Sequence, residues 1–171
     1  MGGEEAKTVA VADFAEFYDR EMSSLVWFLL ALGADADTAA DLAQNAFVKA
    51  FGVWDELRHP KAWLRRVAQN DLGDLRRIRQ REAASDELPE REDALSAAMA
   101  VELRDEHRSV ISALKLLPVK QREALAWYLD GFSPAEIAEC LETRPVAVRQ
   151  NLFKARRSLR AWLGPGWGEA R

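Results

Sequence analysis

Three observations predict an all-α protein of two small helical domains joined by an acidic linker. Helical periodicity runs through almost the whole chain, no alternating strand pattern interrupts it, and a capped helix-turn-helix sits near the C-terminus. Glycine and proline punctuation places helices near residues 12–32, 37–54, 60–81, 94–117, 119–130, 133–141 and 144–162. The 171 residues suffice for modest cores, and 49% hydrophobic with 30% charged residues is an ordinary globular balance.

The first helix ends before Gly33. In the second, Ala39, Leu42, Ala46, Ala50 and Val53 make an inner face, with Asp41, Gln44, Asn45 and Val48 outward or flanking. An exposed mixture of acid, amide and apolar side chains suits a protein-binding surface, and it also suits residues that merely face solvent. Trp54 and Trp63 bracket a loop holding Asp55, Glu56, Leu57, Arg58 and His59. Aromatic and arginine planes beside a basic helix can receive unstacked bases, while tryptophan at helical spacing also reads as core.

The third helix is the first basic patch. Trp63, Val67 and Ile78 mark its inner face, and Arg65, Arg66, Gln69, Arg76 and Arg77 mark an outer stripe able to track a nucleic-acid backbone. Asn70 and Asp74, four apart, are placed nearer the inner side, as a hydrogen-bonded structural pair or as DNA contacts. From Glu82 to Asp93 the chain is acidic, contains Pro89 and lacks apolar periodicity, which predicts a linker.

Near the C-terminus, Ser133, Pro134, Ala135, Glu136 reads as a capping box with proline in the first turn. That helix buries Ile137, Ala138 and Leu141, turns through Glu142 and Thr143, and a second helix starts near Arg144 and Pro145. On the second helix Val148, Leu152, Ala155, Leu159 and Trp162 share one face. Gln150, Phe153, Lys154 and Arg157 share the opposite one, flanked by Arg149, Arg156 and Arg160. The tail Gly164, Pro165, Gly166, Trp167, Gly168 is expected to be loose.

Charge is strongly blocked. Residues 1–57 carry a net −8, 58–81 +6, 82–106 −7, 107–143 −1 and 144–171 +6, so a chain of net charge −4 presents two basic patches. Both have the footprint of phosphate binding. No apolar run approaches the roughly 20 residues of a membrane span, and the N-terminus lacks a signal segment, so a cytoplasmic protein without stable membrane insertion is expected. The single cysteine, Cys140, is expected to be a buried helix residue. Two scattered histidines, His59 and His107, with one cysteine and no glycine-rich phosphate loop, offer no metal site, no nucleophile and no catalytic residues.

The segment Ala40, Asp41, Leu42, Ala43, Gln44, Asn45, Ala46, Phe47 resembles the polymerase-binding segment of extracytoplasmic-function (ECF) sigma factors of bacterial RNA polymerase. Pro60, Lys61, Ala62, Trp63, Leu64, with Asn70, Asp74 and the arginines to Arg81, resembles the segment that melts and reads the minus-ten promoter element. Leu116, Leu117, Pro118, Lys120, Gln121, Arg122, Glu123, then Gly131, Phe132, Ser133, Glu136, Ile137, Ala138, resembles the start of the minus-thirty-five-binding domain. The resemblance covers about residues 12–162 in the family's order.

It implies a region-two-like domain at 1–81, a linker at 82–93, a region-four-like domain at 94–163 and a flexible tail at 164–171. Core RNA polymerase, promoter DNA and an anti-sigma factor are the implied partners, with no cofactor. Asp41, Gln44, Asn45, Phe47 and Val48 would dock on polymerase, although the helical wheel turns Phe47 partly inward. Trp54, Arg58, Lys61, Trp63, Arg65, Arg66, Asn70, Arg76 and Arg77 would capture the melted minus-ten strand, with a flipped base at the loop from Trp54 to His59. Flipping costs a few kcal/mol, so a receiving pocket is needed. Gln150, Phe153, Lys154 and Arg157 would read minus-thirty-five bases, with Arg144, Arg149, Arg156 and Arg160 on the surrounding DNA.

Three positions depart from the family pattern. Glu142 stands where a turn glycine is usual, Arg144 where a small capping residue is common and Ala147 where threonine is frequent. A glutamate in that turn implies a strained backbone. Two other readings of the residues stand beside this one. A helix-turn-helix regulator would bind duplex DNA without polymerase, and a protein-binding helical adaptor would show no salt-dependent DNA binding.

Overall fold

The computed structural model describes residues 2–83 and 105–164. Seven helices are described: α1 (Gly2–Ala31), α2 (Ala36–Gly52), α3 (Pro60–Ala83), α4 (Asp105–Lys115), α5 (Val119–Leu129), α6 (Pro134–Cys140) and α7 (Pro145–Leu163). A single 3-10 turn, Trp54–Glu56, lies between α2 and α3. No strand occurs among the described residues. The chain divides into two compact units, one holding α1 through Leu29 with α2 and α3, the other holding α4 to α7 with the short segment Leu30–Ala34. The expected linker lies outside the described residues except for Glu82 and Ala83, which end α3. Residues 94–104 of the expected fourth helix and the tail beyond Gly164 lie outside them as well.

In the first unit α1 begins ten residues earlier than the periodicity suggests. Alanine and glutamate have high helix propensity, so a helix can extend beyond its apolar pattern. Gly33, at φ 90, ends this stretch in a backbone conformation that side chains disfavour. Asp35 then caps α2, its carboxylate accepting from the Thr38 backbone N–H at 2.8 Å and from the Thr38 hydroxyl at 2.7 Å. The inner face of α2 is nearly all alanine, with Ala39, Ala43, Ala46 and Ala50 fully buried, so α3 can approach its backbone closely. Two ion pairs tie the resulting hairpin: Lys49 to Asp71 at 2.7 Å and Arg79 to Asp35 at 3.7 Å.

The structure corrects the orientation of α3. Leu64, Arg65, Ala68 and Leu72 face inward. Trp63 and Val67 are only half-buried, and Ile78 is exposed. Arg65, expected on the outer stripe, is 0% exposed, because its guanidinium meets Glu21 of α1 at 2.8 Å and donates to the Ser24 hydroxyl at 2.6 Å. Asn70 and Asp74, placed nearer the inside by periodicity, are both exposed, and Asp74 pairs with Arg77. The helix carries two apolar stripes one residue apart, so its period is legible and its phase is not.

The second unit is organised around α7, which packs on α4, α5 and α6. Val148, Leu152, Ala155 and Leu159 are buried as the wheel requires, against Trp127, Ile137 and Leu114. Trp162, expected on that inner face, is 48% exposed, since α7 runs one turn past Leu159. Gly131, at φ 99, lets the chain leave α5 so that Phe132 returns edge-on to Trp127 at 4.8 Å. Cys140 closes α6 half-buried rather than fully buried, because it is the last residue of a two-turn helix.

Candidate polymerase and promoter interfaces

The outward face of α2 is the first candidate surface. Asp41, Gln44, Asn45 and Val48 are exposed, Val48 at 72%, with Phe51 exposed one turn further on. An apolar side chain held in water between acid and amide groups suits contact with another protein. Phe47, expected to share that contact, is 2% exposed. Its ring lies 4.8 Å from Tyr18, 5.9 Å from Phe17 and 6.2 Å from Phe14, so it supports the face from beneath.

The second surface spans the 3-10 turn, its loop and α3. Trp54 is half-buried with its ring 5.0 Å from Phe17 and 5.1 Å from Phe14, which makes it part of the aromatic core of this unit. Arg58 and His59 are exposed in the loop, while Lys61 and Trp63 at the start of α3 are half-buried. Arg66, Asn70 and Arg77 form the exposed stripe, Arg76 lies half-buried beside it, and Arg65 is withdrawn from it. Arg79 escaped the sequence reading. Its guanidinium donates to the Thr38 hydroxyl at 3.2 Å, and with Asp35 it joins the end of α3 to the start of α2. Desolvation raises the Asp35 carboxyl, but the Thr38 hydrogen bonds and Arg79 outweigh it and hold the group below its ordinary value.

The third surface is the helix-turn-helix, α6 and α7. Both halves of the capping box are present: the Ser133 hydroxyl accepts from the Glu136 N–H at 3.3 Å, and the Glu136 carboxylate accepts from the Ser133 N–H at 2.8 Å. The turn holds Glu142 at φ 50, and the Thr143 N–H donates to the Ala138 carbonyl at 2.9 Å. Arg144 occupies the N-cap of α7 without a side-chain cap. Gln150, Phe153, Lys154 and Arg157 all point outward, Phe153 at 69% exposure, with Arg149 and Arg160 exposed beside them.

Arg156 differs from its neighbours. It is half-buried with its guanidinium 4.4 Å from the centre of the Tyr128 ring, a cation–π contact that braces α7 against the end of α5. Tyr128 and Pro134, neither legible as site residues because they precede α7 by a turn and a helix, complete a half-open recess of about 770 Å³ with Leu152, Phe153 and Arg149, Arg156, Arg157 and Arg160. At the base of this unit Arg122 donates to the Lys115 carbonyl at 3.2 Å, and burial pulls its guanidinium below the usual value against the pull of Glu123. Among the described residues no group of three or more His, Cys, Asp or Glu side chains could hold a metal ion, and no helix is long and apolar enough to cross a membrane.

Two family models match the chain: Sigma-70 region 2 over residues 17–82 and Sigma-70, region 4 over residues 107–159. The chain is 30% identical over 158 residues to the ECF RNA polymerase sigma factor SigM of Bacillus subtilis, covering 88% of this chain and 95% of that protein. It is 31% identical over 151 residues to the RNA polymerase sigma-H factor of Pseudomonas aeruginosa, covering 80% and 78%. A match of 29% identity to the probable RNA polymerase sigma factor RfaY of Xanthomonas campestris covers 77% of this chain and only 35% of that longer protein.

Among solved structures, the sigma factor RpoE in complex with the anti-sigma factor NepR from Bartonella quintana superimposes with a TM-score of 0.75 at 26% identity, covering 88% of this chain and 96% of that one. CnrH in complex with the cytosolic domain of CnrY gives 0.63 at 26%, covering 88% and 86%. All-helical architecture, two matched regions in order and near-complete overlap with SigM place this chain in the ECF family of RNA polymerase sigma factors.

Proposed function

We propose that this chain joins core RNA polymerase in the cytoplasm, directs it to specific promoters and assists strand opening there. The observation that carries this reading is α7, a helix whose inner stripe is core and whose outer Gln150, Phe153, Lys154 and Arg157 meet solvent on a capped helix-turn-helix. Those four side chains would read the minus-thirty-five element in the major groove. Arg144, Arg149 and Arg160 would hold phosphates, with Arg156 bracing the helix.

On the first unit, Asp41, Gln44, Asn45 and Val48 would dock on polymerase, supported by Phe47. Arg58, Lys61, Trp63, Arg66, Asn70, Arg76 and Arg77 would hold the melted minus-ten strand, and Trp54 would form the aromatic floor of the loop beside it. Residues 1–81 and 94–163 would act as the two promoter-binding domains with 82–93 linking them. The chain is a regulatory protein in this reading, with no reaction of its own. The solved complexes of RpoE with NepR and of CnrH with CnrY support an anti-sigma partner for this chain too.

Purified protein is mixed with bacterial core polymerase and a genomic DNA library, and transcription starts are mapped, with Asp41→Ala/Gln44→Ala as control. Specific starts that the control loses are expected. Sequence-selective duplex binding without any polymerase association would instead identify a helix-turn-helix regulator.

A further inference from the structure

The two apolar stripes of α3 pose a problem that burial alone does not solve. Leu64, Ala68 and Leu72 face the core, and Trp63, Val67 and Ile78 form a second stripe one residue away. One residue is a rotation of about 100° about the helix axis. Apolar burial is non-directional, and the alanine-lined face of α2 would accept either stripe. The two rotations differ greatly on the outside, because Arg66, Asn70, Asp74 and Arg77 turn with the helix.

One directional contact separates them. Arg65 is fully buried, 2.8 Å from the Glu21 carboxylate and 2.6 Å from the Ser24 hydroxyl, and Glu21 itself is 8% exposed. A guanidinium presents its donors in a rigid fork, so this contact tolerates little rotation. Turning the second stripe inward would carry Arg65 away and leave the Glu21 carboxylate buried without its counter-charge, which is strongly unfavourable.

We propose that Glu21 and Arg65, with Ser24, form a register lock: positioning residues that fix the rotation of α3 on α1 and so aim Arg66, Asn70 and Arg77 outward as one stripe. The pair contributes specificity of packing rather than net stability, as a single buried polar contact does where two apolar registers compete. The role in promoter opening rests on the reading of α3 given above; the lock itself does not.

The test replaces the pair with apolar residues of similar volume, Glu21→Leu with Arg65→Met, in the full chain. Spin labels at Glu16→Cys on α1 and Asn70→Cys on α3, in a Cys140→Ser background, report the rotation as a distance distribution. The parent is expected to give one population. The apolar pair is expected to remain folded and to add a second population displaced by about 8 Å, the chord of that turn at side-chain radius. Glu21→Gln, which keeps shape and hydrogen bonding but removes the charge, should populate the second state less. A single, unshifted population in both variants overturns the lock.

In holoenzyme carrying the apolar pair, minus-ten opening followed by 2-aminopurine fluorescence is expected to slow about tenfold or more, as misplaced contact groups do, with core polymerase binding unchanged. Two populations with opening at the parental rate would leave the lock standing and overturn the assignment of α3 to the melted strand.

Discussion

Glu142 holds a backbone conformation, φ 50, that glycine adopts without strain and glutamate does not. Glu142→Gly is therefore expected to stabilise the second unit by up to about 1 kcal/mol, less the entropy that glycine adds to the unfolded chain, read as a rise in the urea midpoint. Ser133→Ala removes one side of a complete capping box and should cost about 1 kcal/mol in the same assay. At the other unit, Asp35→Ala should cost about 1 kcal/mol by uncapping α2. The pH dependence of that contribution follows from a carboxyl held below its ordinary value of 3.8. Its stabilisation is complete above that value and disappears as pH falls through the lowered one. Asp35→Asn should keep most of the cap and flatten that acid limb in urea titrations. The glutamate in the turn and both caps were readable from residue types and spacing, since each acts on its own backbone. Arg65 was not, because its burial depends on Glu21, 44 positions earlier in the chain.

At the scale of the helix, α2 and α7 were legible and α3 was not, for one physical reason. α2 sets an alanine and leucine face against acid and amide residues, and α7 sets Val148, Leu152, Ala155 and Leu159 against arginine, lysine and glutamine. One strong apolar stripe fixes the phase of a helix. α3 offers two, and an ion pair rather than hydrophobicity chose between them. Trp162 was misplaced for a related reason: periodicity continues past the point where the rest of the unit ends. Because the outer residues of α7 are free of packing duties, Lys154→Ala with Arg157→Ala should weaken binding to the upstream promoter element. The expected cost is about 1–3 kcal/mol for each base-reading side chain removed, measured by fluorescence anisotropy of holoenzyme on labelled promoter. Thermal stability and core polymerase binding should stay at parental values. Equal weakening of polymerase binding would refute the division of labour between the two units.

For the whole molecule, net charge is a poor guide to partners. The chain sums to −4, yet residues 58–81 and 144–171 each carry +6. Promoter binding through these surfaces should fall steeply with salt, and Arg149→Ala should reduce the magnitude of the log–log salt slope by about 0.9, the share of one neutralised phosphate. A change in sequence preference without a change in slope would move Arg149 from phosphate to base. The blocked charge pattern and the order of the motifs were sufficient to read two DNA-facing units from sequence. The recess completed by Tyr128 and Pro134 was invisible there, since α5 and α6 meet α7 only after folding.

The separation of the two faces of α7 has an evolutionary consequence. Val148, Leu152, Ala155 and Leu159 hold the unit together, while Gln150, Phe153, Lys154 and Arg157 add almost nothing to its core. Substitutions at those outer positions are therefore close to neutral for folding. A duplicated copy of this chain could drift to a new set of promoters by changing four side chains, without ever passing through an unstable intermediate.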